Sequence, residues 1–88
     1  MYLFRNLSYL MWDNKLTQEK LSSFINVSRS TISHWLDGMQ LEPQTPHLKK
    51  LSDYFKVSID YLCFEDLTTI SKKERLDNYN LIQKRLKQ

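Results

Sequence analysis

Eighty-eight residues, 41% hydrophobic and 26% charged, allow one small soluble domain and argue against intrinsic disorder. The single cysteine rules out an internal disulfide or a cysteine metal cluster and fits a reducing, cytoplasmic setting. The net charge of +3 is unevenly spread: residues 1–66 carry seven Lys/Arg against eight Asp/Glu, and residues 67–88 carry six against two, so basic charge alone does not argue for nucleic acid.

The N-terminal run MYLFRNLSYLMW is broken by Arg5 and Asn6, has no small-residue cleavage site and is too short to span a bilayer. It reads as a core helix over 3–13, with Leu3, Leu7, Leu10 and Met11 at helical spacing. Asn14 is expected to end it in the left-handed conformation that Asn tolerates.

Thr17 then reads as an N-cap, with Glu19 placed for the helix dipole. Leu21, Phe24 and Ile25 are the expected inner face, and the small Ser22 admits a neighbouring helix. Asn26 marks a turn, Val27 plugs it, and Ser28 caps a third helix from Arg29 to Asp37, closed by Gly38. On that helix Ile32 and Trp35 point inward, with Leu36 at the edge. Ser30, Ser33, His34 and Asp37 share the opposite face. Short polar residues are poor helix formers there, so this face is selected for fit against something rather than for helix stability.

Residues 39–44 form a loop without Lys or Arg, including Glu42. Thr45 reads as a cap with Pro46 at the first helical position of a fourth helix, which runs to Phe55 with Leu48, Leu51 and Phe55 inward. Ser58 caps a short fifth helix whose Tyr61, Leu62 and Phe64 close the core, and Cys63 reads as a small buried hydrophobe. Residues 67–70 are a break. Ser71 caps a sixth helix to Lys87, with Leu76, Tyr79, Ile82 and Leu86 as one stripe and Leu81 off it. This helix packs on its own domain, pairs with a second subunit, or stays a frayed basic arm. No β-alternation, repeat or low-complexity segment is read. The chain is all-α, with a body at 1–66 and a basic C-terminal helix at 67–88 that is a candidate for dimerisation.

LTQEKLSSFINVSRSTISHWLDG and LKKLSDYFKVSIDYLCFED, two signatures at the right separation, resemble helices 2–3 and 4–5 of the lambda-repressor-like (XRE-type, Cro/repressor) helix-turn-helix family. The resemblance covers roughly residues 4–66. It implies a five-helix DNA-binding domain with an additional C-terminal helix. It also implies roles by position. Gln18 contacts phosphate and braces the recognition helix. Ser28, Arg29 and Ser30 approach base edges or adjacent backbone, His34 faces the groove, and Thr31 and Ser33 neighbour phosphates or bases. Arg29 reads a guanine bidentately or contacts phosphate; His34 is a DNA contact or an exposed polar residue. Lys49 and Lys50 touch phosphates or lie on a solvated face. Where relatives often carry Arg and Glu as an ion pair, this chain has Met11 and Leu36, read as an apolar contact in its place.

The function expected is a transcriptional regulator, a repressor binding a palindromic operator as a homodimer. Its partner is double-stranded DNA, with no membrane and no cofactor. Without a second domain for self-cleavage or ligand binding, control falls to abundance, proteolysis or a regulatory protein. The alternatives are an anti-repressor that keeps the fold for a protein partner, or the antitoxin of a toxin–antitoxin pair. His34 and His47 have no Cys partner and share no face, and there is no phosphate loop or nucleophile–base pair, so neither a metal site nor an enzyme is expected.

Overall fold

A computed structural model describes residues 2–38 and 43–87. The described residues are helical, without strands: α1 (Leu3–Asp13), α2 (Gln18–Ile25), α3 (Arg29–Leu36), α4 (Thr45–Phe55), α5 (Ile59–Phe64), a single 3₁₀ turn (Leu67–Thr69) and α6 (Lys72–Leu86).

α1 is the central strut. Leu3, Leu7, Leu10 and Met11 bury one face against α3, α5 and the 3₁₀ turn. Asn6, which breaks the apolar run in sequence, is fully buried. Its Nδ2 donates to the carbonyls of Leu62 (2.8 Å) and Glu65 (2.6 Å), and its Oδ1 accepts from the Leu67 amide at 3.1 Å. These bonds satisfy backbone groups at the end of α5 that would otherwise be buried without partners. The Tyr2 amide adds a bond to the Cys63 carbonyl at 2.7 Å.

Asn14 ends α1, but with φ −94° rather than in the left-handed region. Its Nδ2 instead donates to the Leu10 carbonyl at 2.7 Å, and Lys15 takes the positive φ of 53°. Thr17, Ser28, Ser58 and Ser71 cap as expected, each accepting from an amide three residues on. Thr45 does not: Gln44 holds the cap position of α4 without a side-chain bond, and Thr45 is the first helical residue ahead of Pro46.

Two further expectations fail for one geometric reason. Phe24 is 59% exposed and Phe64 62% exposed. In helices this short, Leu21 with Ile25 and Leu62 with Cys63 already fill the inward positions, and the third apolar residue falls on a flank. Phe24 finds a partner there, stacking on Tyr54 of α4 at 5.6 Å between ring centres. Tyr61, Leu48 and Phe55 are half-buried against the core. Met11 is buried and Leu36 packs on the same core cluster, in keeping with an apolar substitute for an ion pair.

Against the expectation of no repeat, the chain carries a short one. Residues 21–32, LSSFINVSRSTI, align with residues 51–62, LSDYFKVSIDYL. In each copy a serine side chain donates to the carbonyl of the turn valine: Ser22 to Val27 at 2.6 Å, Ser52 to Val57 at 2.5 Å. Asn26 and Lys56 each take the left-handed conformation just before the valine, and Ser28 and Ser58 cap the helix that follows. So Ser22 ties the turn.

The body extends past Asp66. Leu67 is fully buried and Ile70 packs on the core. α6 docks through Arg75 and Tyr79. The Tyr79 hydroxyl donates to Asp53 Oδ1 at 2.9 Å, and Lys56 Nζ lies 5.4 Å from the centre of its ring. Ile82 is half-buried, but Leu76 and Leu86 of the expected stripe are exposed, Leu86 at 71%. The helix is turned so that residues 75, 79 and 82 face the body.

Candidate nucleic-acid interface

α3 is organised by its underside. Ile32 and Trp35 are sealed in the core, Trp35 at 1% exposure, with His47 of α4 against the indole. A helix pinned by residues 32 and 35 must present 30, 33, 34 and 37 away from the core, and Arg29 leaves from its first position. Arg29, Ser30 and Asp37 are exposed, and Ser33 and His34 are half-buried.

The entrance to α3 is built by Ser28. Its Oγ accepts from the Thr31 amide at 3.1 Å and lies 2.7 Å from Thr31 Oγ1. The two hydroxyls are thus paired with each other, while the first turn of α3 carries Arg29 and Ser30 into solvent. Arg29 is in no ion pair among the described residues. The helix N-terminus beneath it offers amide groups and positive dipole to an anion.

Gln18 is the first residue of α2 and is half-buried. Thr17 Oγ1 accepts from the Lys20 amide at 3.1 Å. Lys15 and Lys20, both exposed, flank Gln18 in sequence. They were not among the candidate residues read from the sequence. The signal that could have found them is their position beside a capped helix start packed on α3.

Five of the seven candidate residues fall at two helix starts, and the other two lie further along α3. Ser28, Arg29, Ser30 and Thr31 form the entrance of α3, Ser33 and His34 continue the same side, and Gln18 sits at the start of α2. Lys49 is paired with Asp53 at 3.3 Å on α4. The loop expectation, an acid at Glu42 and no cation, lies on residues 39–42, outside the described residues. No group of three His, Cys, Asp or Glu side chains able to hold a metal occurs among the described residues, and no described helix is long and apolar enough to cross a membrane.

A helix-turn-helix family profile matches residues 9–62, which hold both copies of the repeat and every candidate residue. The chain is also 38% identical, over 77 residues, to the HTH-type transcriptional activator BcrR of Enterococcus faecalis. The match covers 86% of this chain and 37% of that relative, so the chain spans little more than a third of its length. No solved structure matches significantly. With the paired helices, the sealed underside of α3 and a profile over most of the body in agreement, the chain belongs to the XRE-type (Cro/repressor) helix-turn-helix family of DNA-binding proteins.

Proposed function

We propose that this chain is a transcriptional regulator that reads an operator with α3 in the major groove. The observation that carries the reading is the exposed first turn of α3, Arg29 and Ser30, above an underside fixed by Ile32 and Trp35. Arg29 reaches a base edge, a guanine being the best geometric match. Ser30, Ser33 and His34 lie along the same groove-facing side. Ser28 and Thr31, whose hydroxyls are paired, serve the adjacent backbone, and Gln18 contacts phosphate at the start of α2, with Lys15 and Lys20 supplying charge nearby.

A single unit of this kind reads few base pairs. Two units reading half-sites about 34 Å apart give a palindromic operator. The exposed Leu81 and Leu86 of α6 are the surface on which a second copy would close. Sedimentation of Leu81→Lys/Leu86→Lys, compared with the parent chain, is the test: a dimer that persists removes α6 from the interface.

For the sign of control, repression is the first reading. The relative named as an activator favours activation as the second, and placing one operator at different distances from a reporter promoter separates the two. The near-neutral body favours one other reading, a module that keeps the fold for a protein partner such as an anti-repressor or a toxin. Selection from random duplex DNA decides against it or for it. Recovery of a palindrome whose specificity relaxes with Arg29→Ala supports the regulator, and no enriched sequence at low salt sinks it.

A further inference from the structure

Where α1 and α4 end, the first turns of α6 close a cleft of about 240 Å³. Tyr54 and Leu76 line it with carbon, and three cations, Lys56, Lys72 and Arg75, share it with one acid, Asp13. Arg75 is 5% exposed. Its Nε and Nη1 have no hydrogen-bond partner, and no ion pair joins it to Asp13 or to any other described residue. The guanidinium lies 5.7 Å from the centre of the Tyr9 ring. That ring offsets part of the buried charge but accepts no pair of parallel N–H bonds. A buried guanidinium in this state is matched best by a planar or tetrahedral oxyanion, which takes two such bonds at once.

We propose that this cleft binds a small organic anion, a carboxylate or phosphate monoester on a short apolar or aromatic body. Arg75 is its paired cation, with Lys72 and Lys56 beside it. The guanidinium is held by packing rather than by hydrogen bonds, so a small rotation presents two N–H groups to the entering oxyanion. The apolar body of the ligand lies against Tyr54 and Leu76. Because the walls come from α1, α4 and α6, the bound anion joins α6 to the body and stabilises its docking.

The test is a two-dimensional NMR titration of the whole chain, free of DNA, with benzoate, phenyl phosphate and inorganic phosphate at constant ionic strength. The expected result is saturable shifts of amides at 10–14, 54–57 and 72–76 in the millimolar range or below. They come with benzoate or phenyl phosphate, and inorganic phosphate binds more weakly. Arg75→Gln weakens binding at least tenfold. Lys72→Gln, on an exposed turn that folds regardless, weakens it severalfold. Shifts that never saturate, that persist unchanged in Lys72→Gln and in folded Arg75→Gln, or that spread over the basic residues 84–87 instead overturn the proposal. An equal response to inorganic phosphate overturns the apolar body of the ligand. Cleft shifts produced by duplex DNA and by none of the small anions assign the site to nucleic acid and overturn it.

Discussion

Asn6 ties α1 to the backbone at the end of α5 and the start of the 3₁₀ turn through one side chain. Replacing it with Ala leaves the carbonyls of Leu62 and Glu65 and the amide of Leu67 buried without partners. The expected loss is about 3 kcal/mol or more, read as a drop in the denaturant midpoint with an unchanged slope. Lys15 presents the opposite case. Its positive φ is strained for a side chain and free for glycine, so Lys15→Gly is expected to stabilise by about 1 kcal/mol, a rise of several degrees in Tm by calorimetry. Asp66 offers a pH-dependent check. Its carboxylate accepts from the Thr68 hydroxyl at 2.6 Å and the Thr68 amide at 3.1 Å, with Arg5 at 3.8 Å. The Thr68 hydroxyl is the main cause that holds its pKa below the ordinary aspartate value. A lowered acid pKa means that its contribution to stability is present above the unfolded value and fades as pH falls through the folded one. NMR titration should find the low pKa in the native chain and a higher one in Thr68→Val.

α6 is the least firmly held element. It meets the body through Arg75, Tyr79 and the half-buried Ile82. Tyr79→Phe deletes the bond to Asp53 and is expected to cost about 1 kcal/mol. The loss should concentrate in the exchange protection of α6 amides while α1 stays protected. Burial, and then the bond to Asp53, raise the Tyr79 pKa above the ordinary tyrosine value. The contribution of this hydroxyl to the docking of α6 is therefore fully present below the ordinary tyrosine value and is lost as pH rises through the raised folded-state value, whereas Tyr79→Phe is indifferent to the same titration. This helix also marks the limit of what its sequence reveals. The spacing of Leu76, Tyr79, Ile82 and Leu86 defines a stripe, but the body is too small to cover it, and the inward face includes a charged Arg75 that no hydrophobicity rule selects. Phe24 and Phe64 were misread for a related cause: periodicity names the apolar positions of a two-turn helix and not which of them a neighbour reaches. The caps were legible because Thr17, Ser28, Ser58 and Ser71 act on amides three residues away, a purely local event. The exposed side of α3 was legible for the same reason, since Ile32 and Trp35 fix its rotation. The Ser28–Thr31 pairing, the Asn6 bonds and the cleft at Arg75 depend on contacts that spacing does not encode.

At the scale of the whole molecule, the two copies of the L-S-x-aromatic-x-x-V-S pattern build two similar corners, and only one of them leads into a helix with a polar outer face. In the second, Ile59, Tyr61 and Leu62 of α5 serve the core. The corner is thus a structural unit used twice, and what distinguishes the copies is the side chains of the helix that follows, polar on the outer side of α3. Under the proposed function, exchanging residues 29 and 30 for those of a relative with a different operator should move specificity while leaving Tm within about 2 °C, because both are exposed and exposed positions away from caps and core carry little stability; selection from random duplexes and calorimetry check the two halves of that expectation. The Asn6 bonds have a consequence for how the chain is made. They tie residue 6 to residues up to 61 positions later. During synthesis at about 5–20 residues per second, the Asn6 side chain therefore waits about 3–12 seconds for the last of its partners. A ribosome that pauses before Tyr61 therefore holds a chain whose first four helices are made while Asn6 still lacks every backbone group that satisfies its side chain in the fold.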